Sequence, residues 1–420
     1  IMESNNETCK PKWMSTSFFE KALRSAEEGN NITVISTEVK AATAAGDNYG
    51  SEMYRVVVKF KRGTKTEEIS IIVKASKQQS QGMIAKMMSV RNIFDQETAA
   101  FAIVFPAMYK LLDEVPSLNN QPFSAKYLYS DSHETASSIV LEDLKVKGFR
   151  LADNRTSGLD LKHCLLVMRT IARYHAASLV QYQKDPTIFE PLMDNVFSID
   201  KDNGSKEFIE ANINRVAKEV NTWPEYKDTF LKKLQKLRDT AVEKWRLGVT
   251  RNGEFNVLCH GDLWLNNMMF RYSEDAAEVE DLRLLIHCEA SDIFVDFQLT
   301  YWTSPAVDLH YFMYTSASAE ALDHSEVLIQ EYYNTLCEIL TLLKHPHLQP
   351  TMSLINEELE KRGLFAALCS IVVRSVVMVD RSNMPDIENM VDEKETITLS
   401  EKYKGSLKKL LLLFDARGWI

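Results

Sequence analysis

The residues with the clearest chemical potential lie in Val257–Asn267, an apolar run that continues into a polar loop. In that loop, His260, Asp262 and Asn267 follow the spacing H-x-D-x-x-x-x-N. In phosphoryl transfer, a carboxylate accepts the proton of the attacking hydroxyl, and an amide oxygen a few residues later reaches a magnesium ion that bridges the phosphates. The spacing predicts Asp262 as a catalytic base and Asn267 as a catalytic metal ligand. The alternative is an ordinary polar turn after a buried strand.

A second acidic residue, Asp296, ends the apolar run Ile293–Val295. Magnesium prefers oxygen ligands, so a carboxylate at a strand end, opposite Asn267, would complete a site for magnesium and a nucleoside triphosphate. We therefore predict Asp296 as a catalytic residue and a metal ligand. The alternative is an aspartate that caps a turn.

The first third of the chain supplies candidate nucleotide-binding residues. Lys74 ends the β-rich run Ile71–Val73, and Glu97 lies early in a later helical segment, where an ion pair would fix the ammonium group. Gly50 and Ser51 close a preceding loop of small residues. A strand lysine alone is usually just solvated. The order of loop, lysine, glutamate, H-x-D loop and strand-end aspartate is what favours a nucleotide site.

The elements that position these residues change in type along the chain. β-Rich segments cover about residues 32–39, 52–61, 67–74, 123–130 and 138–142, and a Lys-Arg-Gly-Thr turn joins the second and third into an antiparallel hairpin. Helical periodicity covers about residues 17–28, 81–90, 93–112, 160–182, 206–246, 306–343, 353–376 and 397–415, and the section from about 255 to 298 is again β-rich. This pattern predicts an α+β protein with a nucleotide-binding lobe, residues 1–143, and a mainly helical catalytic and acceptor-binding lobe, residues 144–420.

Composition limits the classes of partner. The 420-residue chain has 59 acidic and 49 basic residues, for a net charge of −10, and no dense run of Lys or Arg. This balance argues against nucleic acids and anionic membranes as partners. Residues 1–30 lack the apolar core of a secretory signal, and the most apolar stretches are too short to span a bilayer or are interrupted by Arg374. We therefore expect a cytoplasmic protein without a membrane span.

The six cysteines are widely spaced and form no C-x-x-C pair, so we expect free thiols. Cys259–His260 and His287–Cys288 together offer four zinc ligands. Neighbouring residues of a strand point to opposite faces, so one tetrahedral site could not readily use all four. Zinc binding is therefore the less favoured interpretation.

Longer motifs extend these observations beyond single residues. They are Tyr49–Val58, Ile139–Leu144 with Gly148–Arg150, Ile171–Ser178, His260–Trp264 with Asn267, Asp296–Gln298 and Ser304–Leu309. Through them the sequence resembles the ecdysteroid kinase-like family of arthropods, which belongs with choline kinases and aminoglycoside phosphotransferases in the protein-kinase-like fold. The resemblance extends from about Phe18 to Ile420. It implies a two-lobed fold with a small β-rich N-terminal lobe and a larger helical C-terminal lobe.

The resemblance also implies a reaction, in which the γ-phosphate of ATP passes, with Mg²⁺, to an alcohol group of a small lipophilic molecule. Ecdysteroids are the family's named substrates, and detoxification by phosphorylation is a wider role. By position, Asp262 becomes the base, Asn267 and Asp296 the metal ligands, and Lys74 with Glu97 the pair that anchors the phosphates.

Further positions acquire roles through the same resemblance. The backbone from Glu142 to Leu144 becomes the adenine-binding hinge. His175 and Asp308 match family motifs too, and we interpret both as structural hydrogen-bonding residues near the catalytic loop.

Two features depart from the family pattern. Trp264 stands two residues after the base, where protein kinases place a lysine, so Lys74, magnesium and backbone N–H groups would have to meet the transition-state charge. Ile286–Phe294 looks like an insertion before Asp296. We expect it to form a surface loop, with Asp296 still entering the cleft from a short strand and Asp292 taking no part in metal binding.

Three functions stay open at this point. An active small-molecule kinase has every residue type that the chemistry requires. A hormone- or lipid-binding module with little turnover is motivated by the insertion beside Asp296. A protein kinase is disfavoured by Trp264 and by the lack of an Ala-Pro-Glu segment after the metal motif. For a small-molecule kinase we expect a largely apolar acceptor pocket between the catalytic loop and the helices. Trp264 would either line the mouth of this pocket or pack under the loop.

Overall fold

The computed structural model describes residues 10–26, 31–42, 51–76, 93–118, 121–132, 137–152, 157–193, 205–251, 253–272, 291–378 and 398–420. Several sequence predictions concern residues outside these ranges: the small-residue loop with Gly50, the helix near 81–90, and the pair His287–Cys288.

A five-stranded antiparallel sheet forms the framework of the N-terminal part. Its strands are β1 (Ile32–Ala41), β2 (Ser51–Arg62), β3 (Lys65–Ser76), β4 (Tyr127–Ser132) and β5 (Ser137–Glu142). Their spatial order is β1-β2-β3-β5-β4, and every neighbouring pair is antiparallel. Gly63, with φ of 60°, makes the tight turn between β2 and β3, which confirms the predicted hairpin. Helix α1 (Thr16–Ala26) buries Phe18, Phe19 and Leu23 against this sheet.

The predicted helix over residues 93–112 is present but contains a widened turn. It consists of α2 (Ile93–Ala99), a π-helical turn (Ala100–Val104) and α3 (Phe105–Asp113). Pro106 has no N–H to donate, and its ring crowds the preceding turn, so a regular α-helical path is blocked there. Phe105 donates its N–H to Ala100 five residues back. Such turns are frequent at functional sites, and Glu97 lies just before this one.

Helices dominate the remainder of the chain. They are α4 (Leu161–Lys184), α5 (Ser205–Val220), α6 (Pro224–Val249), α7 (Ala306–Ser316), α8 (Ala319–Leu322), α9 (Ser325–Leu342), α10 (Met352–Lys361), α11 (Gly363–Leu368), α12 (Arg374–Val377) and α13 (Glu401–Ala416). Single 3₁₀ turns occur at Leu144–Lys147, Pro186–Leu192, Leu265–Asn267 and Pro346–Leu348, and a second π-helical turn at Cys369–Val373. The antiparallel N-terminal sheet and the helical remainder confirm the predicted α+β, protein-kinase-like fold class.

Three of the long predicted helices are helical as expected but not continuous, because each is divided into shorter helices. The segment 206–246 breaks at Pro224, because proline fits the first turn of a new helix better than the interior of an old one. The segment 306–343 breaks after Ser316, and Ser318 accepts a hydrogen bond from the Ala321 N–H as the N-cap of the next helix. The segment 353–376 breaks at Arg362 between α10 and α11.

Two short antiparallel pairs lie among the helices and carry the predicted catalytic segments. Strand β6 (Val257–Cys259) pairs with β9 (Tyr301–Thr303), and β7 (Met268–Arg271) pairs with β8 (Ser291–Phe294). The expected surface loop over 286–294 is therefore wrong for Ser291–Phe294, where buried Ile293 and Phe294 favour a strand. Asp296 does follow a short strand, as expected.

Buried apolar side chains form two clusters. The smaller joins α1 to one face of the sheet, and the larger extends from α2 and α3 through the catalytic segments and the helices. A lobe boundary at residue 143 stays a prediction. The described cysteines Cys164, Cys259, Cys337 and Cys369 are free, in agreement with the thiol prediction for that part of the chain. No helix among the described residues is both long and apolar enough to cross a bilayer.

Candidate active site

A glycine shapes the loop that follows β6. Gly261 has φ of +80°, and a Cβ placed there would lie 2.2 Å from the carbonyl oxygen of Leu299. Only glycine tolerates both the left-handed backbone and this close approach. The glycine between His260 and Asp262 is thus needed for the loop to turn, and Asp262 emerges directly after the turn.

Asp262 accepts hydrogen bonds on both carboxylate oxygens. The Tyr311 hydroxyl donates to Oδ1 at 2.6 Å, and Asn267 Nδ2 donates to Oδ2 at 3.0 Å. Burial raises the pKa of Asp262 to about 7, because desolvation of the carboxylate outweighs these donors and nearby Asp296 adds repulsion. A carboxyl group with such a pKa is poised to take up a proton near neutral pH.

Asn267 lies next to Asp262 with its amide orientation set by two hydrogen bonds. Its Nδ2 donates to the backbone oxygen of Asp262 at 2.8 Å as well as to the carboxylate. With the amide nitrogen committed to Asp262, the amide oxygen is the atom that could bind a cation. The Asn267 carbonyl accepts a hydrogen bond from the N–H of Val295 at 2.9 Å. This bond brings the segment of Asp296 alongside the catalytic loop.

Asp296 has φ of 67°, which is left-handed backbone that few residues other than glycine adopt. The conformation costs a typical side chain roughly 1–2 kcal/mol, and aspartate is among the few that tolerate it. Strained positions of this kind cluster at functional sites. The Asp296 carboxylate accepts a hydrogen bond from Lys74 Nζ at 2.6 Å and is still 30% exposed. It can therefore contact a ligand that approaches from solvent.

Lys74 lies between two carboxylates from distant parts of the chain. Its Nζ is 2.6 Å from Glu97 Oε2 and 2.6 Å from Asp296 Oδ1, and only 4% of its side chain is exposed. Burial alone would lower the pKa of Lys74, but the charges of Asp296 and Glu97 outweigh it and raise the pKa. Glu97 also accepts a hydrogen bond from the N–H of Phe297 at 3.1 Å. The predicted Lys74–Glu97 contact is present, and Glu97 additionally holds the backbone beside Asp296.

His260 serves as a structural link in its neutral form. Its Nδ1 accepts a hydrogen bond from the Asp262 N–H at 3.3 Å, so Nε2 carries the proton and donates to the Val295 carbonyl at 3.0 Å. Burial lowers the pKa of His260 and favours this neutral state. The ring therefore ties the catalytic loop to the strand end that precedes Asp296.

Asp308 anchors the backbone of the catalytic loop from the first turn of α7. Its two oxygens accept the N–H groups of His260, at 2.7 Å, and Gly261, at 2.9 Å. His175 Nε2 lies 3.1 Å from the same carboxylate, and its Nδ1 lies 3.0 Å from the Tyr332 hydroxyl. This geometry agrees with the structural hydrogen-bonding roles predicted for His175 and Asp308. Cys259 lies close to both, but its thiol hydrogen-bonds to the Ser304 carbonyl at 3.3 Å.

The predicted hinge is fixed by a residue that the sequence prediction did not single out. Asp143, between Glu142 and Leu144, accepts two hydrogen bonds from Arg55, at 2.7 and 3.2 Å, and one from Ser70 at 2.7 Å. Although burial opposes ionisation, these donors lower the pKa of Asp143. The bonds attach the backbone after β5 to β2 and β3.

The other predicted nucleotide residues lie on the same sheet. Glu142 is in register with Ile71 on the strand of Lys74, and Ser51 is opposite Ser76, two positions beyond Lys74. Their roles toward a nucleotide, and the role of Leu144, stay predictions.

Asp292 is separated from this cluster by its position in β8. It is 2% exposed, and its Oδ1 accepts a hydrogen bond from the Thr170 hydroxyl at 2.7 Å. Thr170 belongs to α4, so Asp292 packs against that helix, whereas Asp296 contacts Lys74. The expectation that Asp292 takes no part in metal binding stays a prediction.

The structure brings five predicted residues into one connected set. The set is Lys74, Glu97, Asp262, Asn267 and Asp296. Sequence reasoning missed some contacts of this set, among them Lys74 with Asp296 and Tyr311 with Asp262. The signal for the Tyr311 contact was its i, i+3 spacing from Asp308, which places both side chains on one face of a helix.

The family of this chain indicates a small-molecule kinase-like phosphotransferase. The chain belongs to the ecdysteroid kinase-like family, whose sequence profile matches residues 45–345. No curated protein matches the chain.

Among solved structures, the chain is similar to one described as a fructosamine-3-kinase from Haemophilus somnus 129PT. The two share 11% identity over 82% of this chain and 95% of that one, with a TM-score of 0.33. A superposition this loose carries no argument about activity.

Proposed function

We propose that this protein is an ATP- and magnesium-dependent phosphotransferase that moves the γ-phosphate of ATP to an alcohol group of a small lipophilic molecule. The observation that carries this proposal is the connected set of five side chains around Lys74 and Asp262. It combines a buried cation, two oxygen ligands and a carboxyl group with a pKa of about 7. Family membership supports the same class of reaction.

In this proposal, Asp262 is the general base. Its ionised carboxylate accepts the proton of the acceptor hydroxyl while that oxygen bonds to the γ-phosphorus, and the bond from phosphorus to the leaving oxygen of ADP breaks. Asn267 donates to Asp262 Oδ2 and would keep that oxygen in a defined direction. Asp262 therefore acts on the acceptor alcohol, whose hydroxyl proton it removes.

We assign binding of the phosphate donor, MgATP, to Asp296, Asn267 and Lys74. Carboxylate and amide oxygens are the ligands that magnesium prefers, so Asp296 and Asn267 fit a magnesium site. Bound magnesium supplies charge neutralisation at the phosphates. Lys74, held by Glu97, would contact the α- and β-phosphates. No lysine follows the base at the position of Trp264, so Lys74 would carry more of the cationic role.

The remaining nucleotide contacts belong to the sheet and its end. We assign adenine recognition to the backbone at Glu142 and Leu144, which the Asp143–Arg55 pair holds in place, and phosphate contacts to Gly50 and Ser51. The lobe boundary near residue 143 would then border the nucleotide site. An ATP-consuming role also fits the cytoplasmic location expected from the sequence.

We assign the phosphate acceptor only to a chemical class, lipophilic alcohols. The name of the family points to ecdysteroid-like alcohols, and xenobiotic alcohols share their lipophilic character. We place the acceptor pocket between the catalytic loop and the helices. Trp264, half-buried after the base, would contribute an apolar wall.

An acceptor screen tests the proposed function. The full chain is incubated with ATP and Mg²⁺ and a panel of steroid, glycoside and phenolic alcohols, and products are detected by mass spectrometry. We expect a phosphorylated steroid-like or phenolic alcohol that is absent without Mg²⁺ and absent with Asp262→Asn. Tight binding of a lipophilic alcohol by a protein that consumes no ATP would instead favour the binding-module alternative.

A further inference from the structure

Helix α7 contacts the catalytic loop through two side chains with different tasks. Asp308 binds the backbone N–H groups of His260 and Gly261. Tyr311, three residues later on the same face, binds the Asp262 carboxylate itself at 2.6 Å. One helix thus fixes both the main chain of the loop and the side chain of the candidate base.

The hydrogen bond from Tyr311 has a fixed direction while Asp262 is ionised, which is the form that acts as the base. Burial raises the pKa of Tyr311 well above its ordinary value, and the adjacent Asp262 charge adds to the effect, so the hydroxyl keeps its proton. An ionised carboxylate only accepts hydrogen bonds. Tyr311 therefore donates to Oδ1, while Asn267 donates to Oδ2. Because each carboxylate oxygen accepts one of these hydrogen bonds, rotation of the carboxylate about the Cβ–Cγ bond is restrained.

We propose that Tyr311 is a positioning residue, whose hydroxyl holds the Asp262 carboxylate in the orientation that receives the acceptor proton. The proposal rests on the proposed function for the reaction, but the positioning itself does not depend on which alcohol is phosphorylated. A carboxylate has about four lone-pair directions. Donors from Tyr311 and Asn267 occupy two of them, and an acceptor hydroxyl must use one that remains.

The ring of Tyr311 allows its hydroxyl to be tested separately from its packing. The side chain is 8% exposed, and its ring lies 6.5 Å from the ring of Phe365. Tyr311→Phe keeps that packing and removes only the donated hydrogen bond. Tyr314 offers a matched control, because it lies on the same helix, is 3% exposed and packs against Phe414 and Trp419. Tyr314→Phe removes a hydroxyl without removing a donor to Asp262.

The experiment combines crystal structures with kinetics for wild type, Tyr311→Phe and Tyr314→Phe. Magnesium-dependent ATP hydrolysis, with water as the acceptor, provides a rate that needs no identified alcohol. In the crystal structure of Tyr311→Phe we expect the Asp262 carboxylate to be rotated or to occupy more than one orientation, while His260 and Asp308 stay in place. A hydrogen bond to a charged group is typically strong enough that kcat should fall about ten- to a hundredfold. The KM for ATP should remain within about twofold, since the donor side is untouched.

The outcomes separate this proposal from the proposed function. If Asp262 keeps its orientation in Tyr311→Phe and kcat is unchanged, the positioning role is wrong. A displaced loop backbone, or kcat and KM that change alike in both tyrosine variants, would show a purely structural role and would also overturn it. If wild type neither hydrolyses nor transfers the γ-phosphate, the proposed function fails. The orientation of Asp262 in the two crystal structures still decides whether Tyr311 positions it.

Discussion

At the scale of single residues, the site depends on charges that are buried together. Lys74 has a 4% exposed side chain and lies 2.6 Å from both Glu97 and Asp296, which are far apart in sequence. Removing one partner of a buried ion pair is strongly destabilising, because the remaining charge has no compensation. Lys74 is therefore expected to stabilise the fold as well as anchor phosphates.

Lys74→Met tests both effects. We expect weaker binding of MgATP and a free energy of unfolding that is lower by about 3–5 kcal/mol, the usual cost of an uncompensated buried charge. Calorimetric titration and denaturant unfolding measure the two quantities. Lys59→Met, at an exposed position of the neighbouring strand β2, is the control and should change neither. Unaltered ATP binding in Lys74→Met would refute its assignment to the phosphates.

Gly261 makes a second prediction at residue scale. Gly261→Ala would put a Cβ 2.2 Å from the Leu299 carbonyl oxygen at a φ of +80°. We expect the free energy of unfolding to fall by about 1–2 kcal/mol from the left-handed backbone alone. The clash should lower it further, and turnover should be lost. Gly405 lies in α13, and a Cβ added there would meet no other atom within 4 Å. Gly405→Ala should therefore raise the free energy of unfolding by about 0.5–1 kcal/mol. Equal effects of the two substitutions would contradict the close approach at Gly261.

At the scale of elements, strand β8 is a part of the apparent insertion that lies in the core. Ile293 and Phe294 are 1% and 0% exposed, and β8 pairs with β7 directly after the catalytic loop. The apolar run before Asp296 is visible in the sequence, but the prediction assigned residues up to 294 to a surface loop. Three of the four residues of β8 are buried one after another, so the strand has no apolar–polar alternation by which it could be recognised from the sequence.

The buried carboxyl group of β8 predicts a pH-dependent stability. Burial raises the pKa of Asp292 to about 6, because desolvation outweighs the hydrogen bond from Thr170 and the charge of Arg173. In an unfolded chain its pKa is about 3.9. Between these values the folded protein binds a proton that the unfolded chain does not, so stability contributed by this group falls as pH rises from about 4 to about 6.

Asp292→Asn should remove this dependence. We expect the variant to gain stability relative to wild type as pH rises through that window, by roughly 2–3 kcal/mol at most above about pH 6. Denaturant unfolding at a series of pH values measures the difference. Asp228→Asn, on an exposed part of α6, is the control and should run parallel to wild type. A constant difference between Asp292→Asn and wild type at all pH values would contradict the assignment.

At the scale of the whole molecule, local patterns predicted the fold class, and chain order predicted which candidate residues lie together. The β-hairpin, the long helices and the H-x-D-x-x-x-x-N loop are each readable within a few residues. The contacts that orient the site are not, because they join distant positions. Tyr311 is 49 residues from Asp262, and Arg55 is 88 residues from Asp143. Such pairs follow from packing of α7 and of the sheet, which one sequence does not specify directly.

The same reason explains the helix errors. Predicted helices over 206–246, 306–343 and 353–376 are correct in type, but each contains a break set by capping and packing. Pro224 was a local signal that could have been used. The break at Arg362 was not readable in this way, because Arg362 is held by Glu358 and by the carbonyl of Gly248, more than a hundred residues away.

The central claim is that Asp262 and Asp296 act in magnesium-dependent phosphoryl transfer and that Asp292 does not. The most direct measurement is Mg²⁺-dependent ATP turnover by Asp262→Asn, Asp296→Asn and Asp292→Asn beside wild type. We predict losses of about a hundredfold or more for the first two, because one removes the base and the other a charged metal ligand. Asp292→Asn should stay close to wild type, since its carboxyl group faces Thr170. An inactive Asp292→Asn beside an active Asp296→Asn would contradict the account.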